Sequence, residues 1–306
     1  MYFTSKHILP ENTSKASRFR LSRRDEMYNR FKTQVGLLME SKKPKKISTN
    51  RGLLNNRTCY KFPFSDNIFQ QITRSKKGDT SIVFLIDGSG SMDGNVYWGD
   101  DGNITRMEQC GIVASAFAKA VRDVLNNEIK IEVFVKSAPG CGTVGEDKYS
   151  GSFVTVARVF TNTKPFSNSD LDALVNIQPH CPFELTTEGE QGRALGSYTA
   201  EYSILPGLTR WMRMNIQTKN TIVLNLTDGE AYASLGKDDF SFGDNENKKM
   251  RLKYLSQVPN VTMFVGGRNK KGHLKDIYGD NSIFADDDNF HQDLFKVFMG
   301  FLEASL

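Results

Sequence analysis

The chain has no run of about 18 apolar residues, the length a helix needs to cross a bilayer, so no membrane span is expected. Its four cysteines, Cys59, Cys110, Cys141 and Cys181, contain no Cys-x-x-Cys pair and match no zinc spacing. The opening residues, MYFTSKHILP, lack an apolar core of signal-peptide length. Thiols that need not pair and the missing export signal point to a reducing compartment. The expected location is the cytoplasm, that of the producing cell or of a host if the gene belongs to a phage.

Signatures of turnover are scarce as well. No Gly-x-x-x-x-Gly-Lys-Ser/Thr occurs, so the chain has no P-loop of its own. Neither Ser89 nor Ser91 sits in a Gly-x-Ser-x-Gly nucleophile elbow. His7, His180, His273 and His291 share no metal spacing and no motif that would make one of them a general base. The chain is therefore not expected to be catalytic alone.

What is present is ordinary in amount and uneven in distribution. Of 306 residues, 39% are hydrophobic and 25% charged, the balance of a globular protein. The net charge of +5 hides an asymmetry: residues 1–80 hold 18 Lys and Arg against 6 Asp and Glu, whereas residues 81–306 hold 22 against 29. A basic arm is thus joined to an acidic body, a pattern that suits a polyanion or an acidic protein surface. RNA bound through that arm is one expectation, although residues 1–80 carry no nucleic-acid motif.

In the arm, Met27, Phe31, Val35, Leu38 and Met39 fall at helical spacing and predict a helix over about residues 25–40. The KKPKK run at 42–46 reads as a solvated linker. From residue 81 onward, strands and helices alternate. SIVFLI (81–86), IKIEVFV (129–135), FVTVARVF (153–160), TIVLNL (221–226), VTMFV (261–265) and 282–285 read as strands, 153–160 as an edge strand. Helices are predicted over 105–126, 193–215 and the chain end. The expected class is α/β: a doubly wound, mostly parallel sheet flanked by helices, with a basic N-terminal helical extension over 1–80.

Directly after the first buried strand comes Asp87-Gly88-Ser89-Gly90-Ser91. A carboxylate and two hydroxyls spaced two apart offer hard oxygen ligands, and Mg²⁺ needs few protein ligands because it keeps several waters. Thr227-Asp228-Gly229 follows the strand at 221–226, which places Asp228 at another carboxyl strand edge, where ligands of such sheets bind. A third segment, Gly196-Ser197-Tyr198-Thr199-Ala200-Glu201, has hydroxyls that could complete the shell.

Together these segments resemble the metal-ion-dependent adhesion site of von Willebrand factor A (vWA) domains. The resemblance implies Asp87, Ser89 and Ser91 in the first loop, Ser197 or Thr199 in the second and Asp228 in the third, around Mg²⁺ (or Mn²⁺ or Ca²⁺). It also implies a Rossmann-like domain over 81–306 whose metal is capped by an acidic residue of a protein partner. Ahead of the first strand, NRFKTQVGLLM (29–39), NRGLLNNR (50–57) and Phe69 look like the lead-in of the CobT subunit of cobaltochelatase, a cobalamin-pathway enzyme. Asn55 stands where that family has an acidic residue, and the segment 97–104 lengthens the first loop. That likeness implies an adaptor for an AAA+ ATPase of the MoxR or CobS type.

Overall fold

The computed structural model describes residues 2–4, 18–41, 45–49, 53–54, 69–73, 80–97, 103–137, 155–177, 182–183, 193–194, 201–216, 218, 220–228, 233–234, 241–242, 244–256, 258, 260–265, 275–276, 278–285 and 290–305. In chain order the leading part gives β1 (Tyr2–Thr4), α1 (Arg18–Ser41), β2 (Lys45–Thr49), β3 (Leu53–Leu54) and β4 (Phe69–Thr73). Next come β5 (Thr80–Asp87), β6 (Asn95–Tyr97), β7 (Asn103–Thr105), α2 (Arg106–Leu125), β8 (Lys130–Ser137), β9 (Thr155–Thr161) and α3 (Asn168–Val175). The remainder is β10 (Pro182–Phe183), β11 (Arg193–Ala194), α4 (Glu201–Asn215), β12 (Asn220–Thr227), β13 (Ala233–Ser234), β14 (Ser241–Phe242), α5 (Asp244–Leu255), β15 (Asn260–Val265), β16 (Ser282–Ala285) and α6 (Phe290–Ser305).

The main sheet has the order β1-β9-β8-β5-β12-β15-β16. From β8 to β16 every pairing is parallel, while β9 runs against β8 with a register shift near Val133. Strand β5 is buried along its whole length, as its unbroken β-branched and apolar run requires. Its residues alternate between two cores. Ile82, Phe84 and Ile86 join α1, α2, α3 and α6 on one face, whereas Val83 and Leu85 join α4 and Leu255 of α5 on the other. The result is a doubly wound α/β domain of the Rossmann-like class.

Helix α1 belongs to the first of these cores. Met27, Phe31 and Val35 are fully buried, and the Phe31 ring lies 5.3 Å from Phe117 and 5.8 Å from Phe298. The helix begins at Arg18, well before the apolar spacing marks it, because its first turns are held by charge. Arg20 reaches Glu108 and Arg24 reaches Asp172, while Lys119 of α2 reaches back to Asp25.

Three expectations need correction. The strand over 155–161 is not the sheet edge, since β1 pairs with it in parallel. The helix expected over 193–215 starts only at Glu201, and Arg193–Ala194 pairs instead with Pro182–Phe183; Gly196, a poor helix former, lies between. Lys45 and Lys46 of the KKPKK run open strand β2, which pairs with β4 rather than forming a linker. Within the lengthened first loop, β6 and β7 pair antiparallel, with Asn95 opposite Thr105.

Helix α2 leaves that hairpin through a complete capping box. Thr105 accepts from the Glu108 amide, and the Glu108 carboxylate accepts from the Thr105 amide. Its far end closes on Asn126, in the left-handed conformation at φ 47°. These two caps fix where α2 begins, and its first residue, Arg106, is therefore fixed beside the first loop.

Candidate metal site at the sheet switch point

From β5 the chain goes to β8 on one side and returns to β12 on the other, so the winding direction reverses between β5 and β12. Crossovers that diverge there leave a crevice at the carboxyl ends of the two strands. Asp87 ends β5, and Thr227 and Asp228 end β12. The sheet itself therefore carries both acidic residues to the crevice.

Asp87 is fully buried and firmly held. Its Oδ1 accepts from the Ser89 amide at 2.9 Å, and its Oδ2 accepts from the Thr227 hydroxyl at 2.6 Å. The Gly88 amide donates to the Lys136 carbonyl at 2.8 Å, which ties the loop to β8. A short 3₁₀ turn over Gly90–Asp93 follows, closed by bonds from the Met92 amide to Ser89 and from the Gly94 amide to Ser91. With Met92 buried beneath it as a plug, the turn sets Ser89 Oγ 3.0 Å from Ser91 Oγ. Ser89 is buried, whereas Ser91 is partly exposed.

Arg106 completes the described part of the crevice. Its guanidinium donates to the Ser91 carbonyl at 3.2 Å and lies 3.9 Å from Asp228 Oδ2. The residue is brought there by the hairpin, whose closure lets the Arg106 amide donate to the Gly94 carbonyl at 3.1 Å. A Cβ on Gly94 would sit 2.9 Å from the Arg106 guanidinium nitrogen, so the guanidinium occupies space that only glycine leaves open. As the first residue of α2, Arg106 opposes the helix dipole, which favours negative charge at that end.

Beneath the loop, α2 carries Cys110, fully buried. Burial and the nearby Asp87 carboxylate both push its thiol pKa far up, so it stays protonated and acts as a small apolar residue. Lys136, paired in register with Asp87, is buried too and donates to Asn225 at 2.8 Å. Through Thr262, Asn225 connects in turn to Arg251 of α5.

The structure thus brings together Asp87, Ser89, Ser91 and Asp228. Ser197 and Thr199, the alternatives for the second loop, lie outside the described residues. Thr227 and Arg106 were not anticipated as members of the site. Thr227 had a readable signal, a hydroxyl beside Asp228 at a strand end; Arg106 had none, because only hairpin closure brings it to the loop. All the donors are oxygens, two carboxylates and two hydroxyls, and this set fits a small hard divalent cation rather than a soft transition metal. Among the described residues no cluster of three or more His, Cys, Asp or Glu exists.

Fold and rim together define a Rossmann-like domain with an acid-and-hydroxyl crevice at its switch point. No family model and no curated protein matches the chain. Among solved structures it is similar to the pilus adhesin SpaC of Lactobacillus rhamnosus GG, with a TM-score of 0.45 and 12% identity over 85% of this chain and 34% of that one. It is similar as well to the vWF domain of the type V pili tip protein Mfa5 of Porphyromonas gingivalis, at a TM-score of 0.44 and 10% identity, covering 75% and 97%. The tip pilin GBS104 of Group B Streptococcus agalactiae gives 0.43 and 9%, covering 72% and 99%. The chain spans about a third of the length of SpaC.

Proposed function

We propose that the chain is a protein-binding module of the vWA type whose contact with its partner depends on a divalent cation. Asp87, Ser89, Ser91 and Asp228, with Ser197 or Thr199, would hold Mg²⁺ (or Mn²⁺ or Ca²⁺). The observation that carries this reading is the placement of Asp87, Ser89 and Ser91, held by hydrogen bonds, at the same switch-point crevice as Asp228, which lies 3.9 Å from Arg106. When bound, such a cation supplies a Lewis-acidic position that a carboxylate can fill. The chain's own residues orient that position: the Asp87 carboxylate is clamped by Ser89 and Thr227, and the serine hydroxyls face one another across 3.0 Å.

The partner that the CobT likeness favours is an AAA+ ATPase of the MoxR or CobS type, which presents an acidic residue to the metal. In this role the chain couples the ATPase to a target and does no chemistry itself; cobalt insertion into a corrinoid would be the task of the whole complex. A pull-down of such an ATPase in Mg²⁺, with and without EDTA, tests this. Capture is expected from the native chain, sensitive to EDTA and lost in Asp87→Asn. Capture that ignores both changes would overturn the reading.

A further inference from the structure

Among the described residues, the two helical faces of the sheet treat several of their cations differently. On the side of α1 and α2, Arg20, Arg23, Arg24, Arg30, Lys119 and Arg122 each face a carboxylate. On the side of α4 and α5, Arg210, Arg213, Lys248, Lys249 and Lys253 are all exposed. Among the described residues none of these five is engaged in an ion pair. Arg213 and Lys253 lie in the last turns of their helices, where a cation stabilises the dipole. That does not account for Arg210, Lys248 or Lys249.

Two of the three exposed large hydrophobics among the described residues lie on these two helices, Met214 at 68% and Leu252 at 63% exposure. Arg210, Arg213 and Met214 form one helical stripe, and Lys249, Leu252 and Lys253 another. The opposite sides of the helices bury Leu208, Trp211, Met212 and Leu255 in one shared core, so the two stripes face outward together. Beside Leu252 an open groove of about 670 Å³ is lined by Leu255, Val258 and Tyr278, wide enough for an apolar side chain. Asp276 and Asp280 line the groove as well, so an acidic group is disfavoured there and an apolar one preferred.

Topology separates this face from the metal crevice. Helix α4 runs into the start of β12 and α5 into the start of β15, so their carboxyl-terminal halves lie toward the amino ends of the strands. The switch-point site occupies the other end of the sheet. Phosphate binding would use the cations, but single-stranded nucleic acid also draws on exposed aromatic rings for stacking. The exposed apolar groups here are a Met and a Leu, which suit apolar anchors of a helix instead.

We propose that the α4–α5 face docks an acidic, amphipathic helical segment of a partner protein. Its carboxylates meet Arg210, Arg213, Lys248, Lys249 and Lys253, and its apolar side chains cover Met214 and Leu252. This contact is independent of the metal site.

Fluorescence anisotropy on the full chain, in EDTA, tests it. The probe is a labelled helical peptide with leucines at i, i+3 and i+4 spacing and glutamates elsewhere. A glutamate-only peptide and a polyuridylate, both of equal charge, are the comparators. The leucine peptide is expected to bind about tenfold more tightly than either comparator. Arg213→Glu with Lys249→Glu and Lys253→Glu should weaken it by about tenfold or more, as should Met214→Ser with Leu252→Ser. Because all five positions are exposed, a cooperative melt by circular dichroism should be retained in both variants, with the midpoint of the charge variant lowered by only a few degrees for the two helix-end cations it loses. No binding, equal binding of polyuridylate, or indifference to both sets of substitutions would overturn the proposal.

Discussion

At the residue scale, burial and charge decide what each side chain of the site can do. Asp87 cannot be removed without consequence for the fold, because the Ser89 amide and Thr227 hydroxyl would lose their acceptor. Leaving such groups unsatisfied costs about 1–3 kcal/mol each, so Asp87→Asn is a cleaner probe than Asp87→Ala. Arg106 is the more informative position. Its guanidinium lies 3.9 Å from Asp228, so it already places positive charge where the cation would add more. Two cations near one carboxylate repel, and Arg106→Gln should raise Mg²⁺ affinity by about tenfold, or about 1.4 kcal/mol, in isothermal titration calorimetry. Unchanged affinity would show that the guanidinium is too well screened to matter. Away from the crevice, Glu132 on β8 is buried, and this pushes its carboxyl up to about 7 despite the Thr161 hydroxyl and Arg158 beside it. The folded state therefore binds this proton more tightly than the unfolded chain does. The stability it contributes is full below the ordinary carboxyl range and is lost as pH rises toward 7. The unfolding free energy from denaturant titrations should fall between about pH 5 and 7.5 for the native chain, on the order of 2–3 kcal/mol, and vary less in Glu132→Gln.

Helix contacts at the element scale are set by a few close approaches. Gly111 of α2 lies against α3, and a Cβ there would meet the Leu174 carbonyl oxygen at 2.2 Å. That obstacle is backbone, which cannot swing aside. Gly111→Ala should therefore cost about 2–3 kcal/mol, read as a lower urea midpoint at unchanged slope. The elements were unequally legible in the sequence. Ile82–Ile86 and Ile222–Leu226 announce buried strands by composition alone, and the Asp-x-Ser-x-Ser run after the first of them marked the crevice. The start of α1 was not legible, because the helical apolar spacing begins only at Met27, and the partners of Arg20 and Arg24, Glu108 and Asp172, are distant in sequence. Arg106 was hidden for the same reason: a partner 15 residues away in the chain reaches it only after β6 pairs with β7.

For the whole molecule, the charge asymmetry takes on a different meaning. Two of the cations of α1, Arg20 and Arg24, dock against carboxylates of the acidic body, while Phe31 enters the aromatic cluster with Phe117 and Phe298. A chain lacking residues 1–41 would expose that cluster, and it should aggregate or lose cooperative unfolding in a thermal melt; a soluble, cooperative truncation would show α1 to be dispensable. The unpaired cations on α4 and α5 lie on the opposite face of the sheet, so one chain would present a metal-dependent contact at one end and an ionic contact at the other. Among the described residues no helix is long and apolar enough to cross a membrane.

The central claim is that Asp87, Ser89, Ser91 and Asp228 hold a divalent cation. Calorimetric titration of the metal-stripped full chain with Mg²⁺, beside Asp87→Asn, tests it most directly. One saturable site is expected in the native chain, accompanied by a rise in thermal midpoint as ligand linkage requires, and neither effect in the variant. Equal titration curves for the two proteins, or no saturable binding by the native chain, would contradict it.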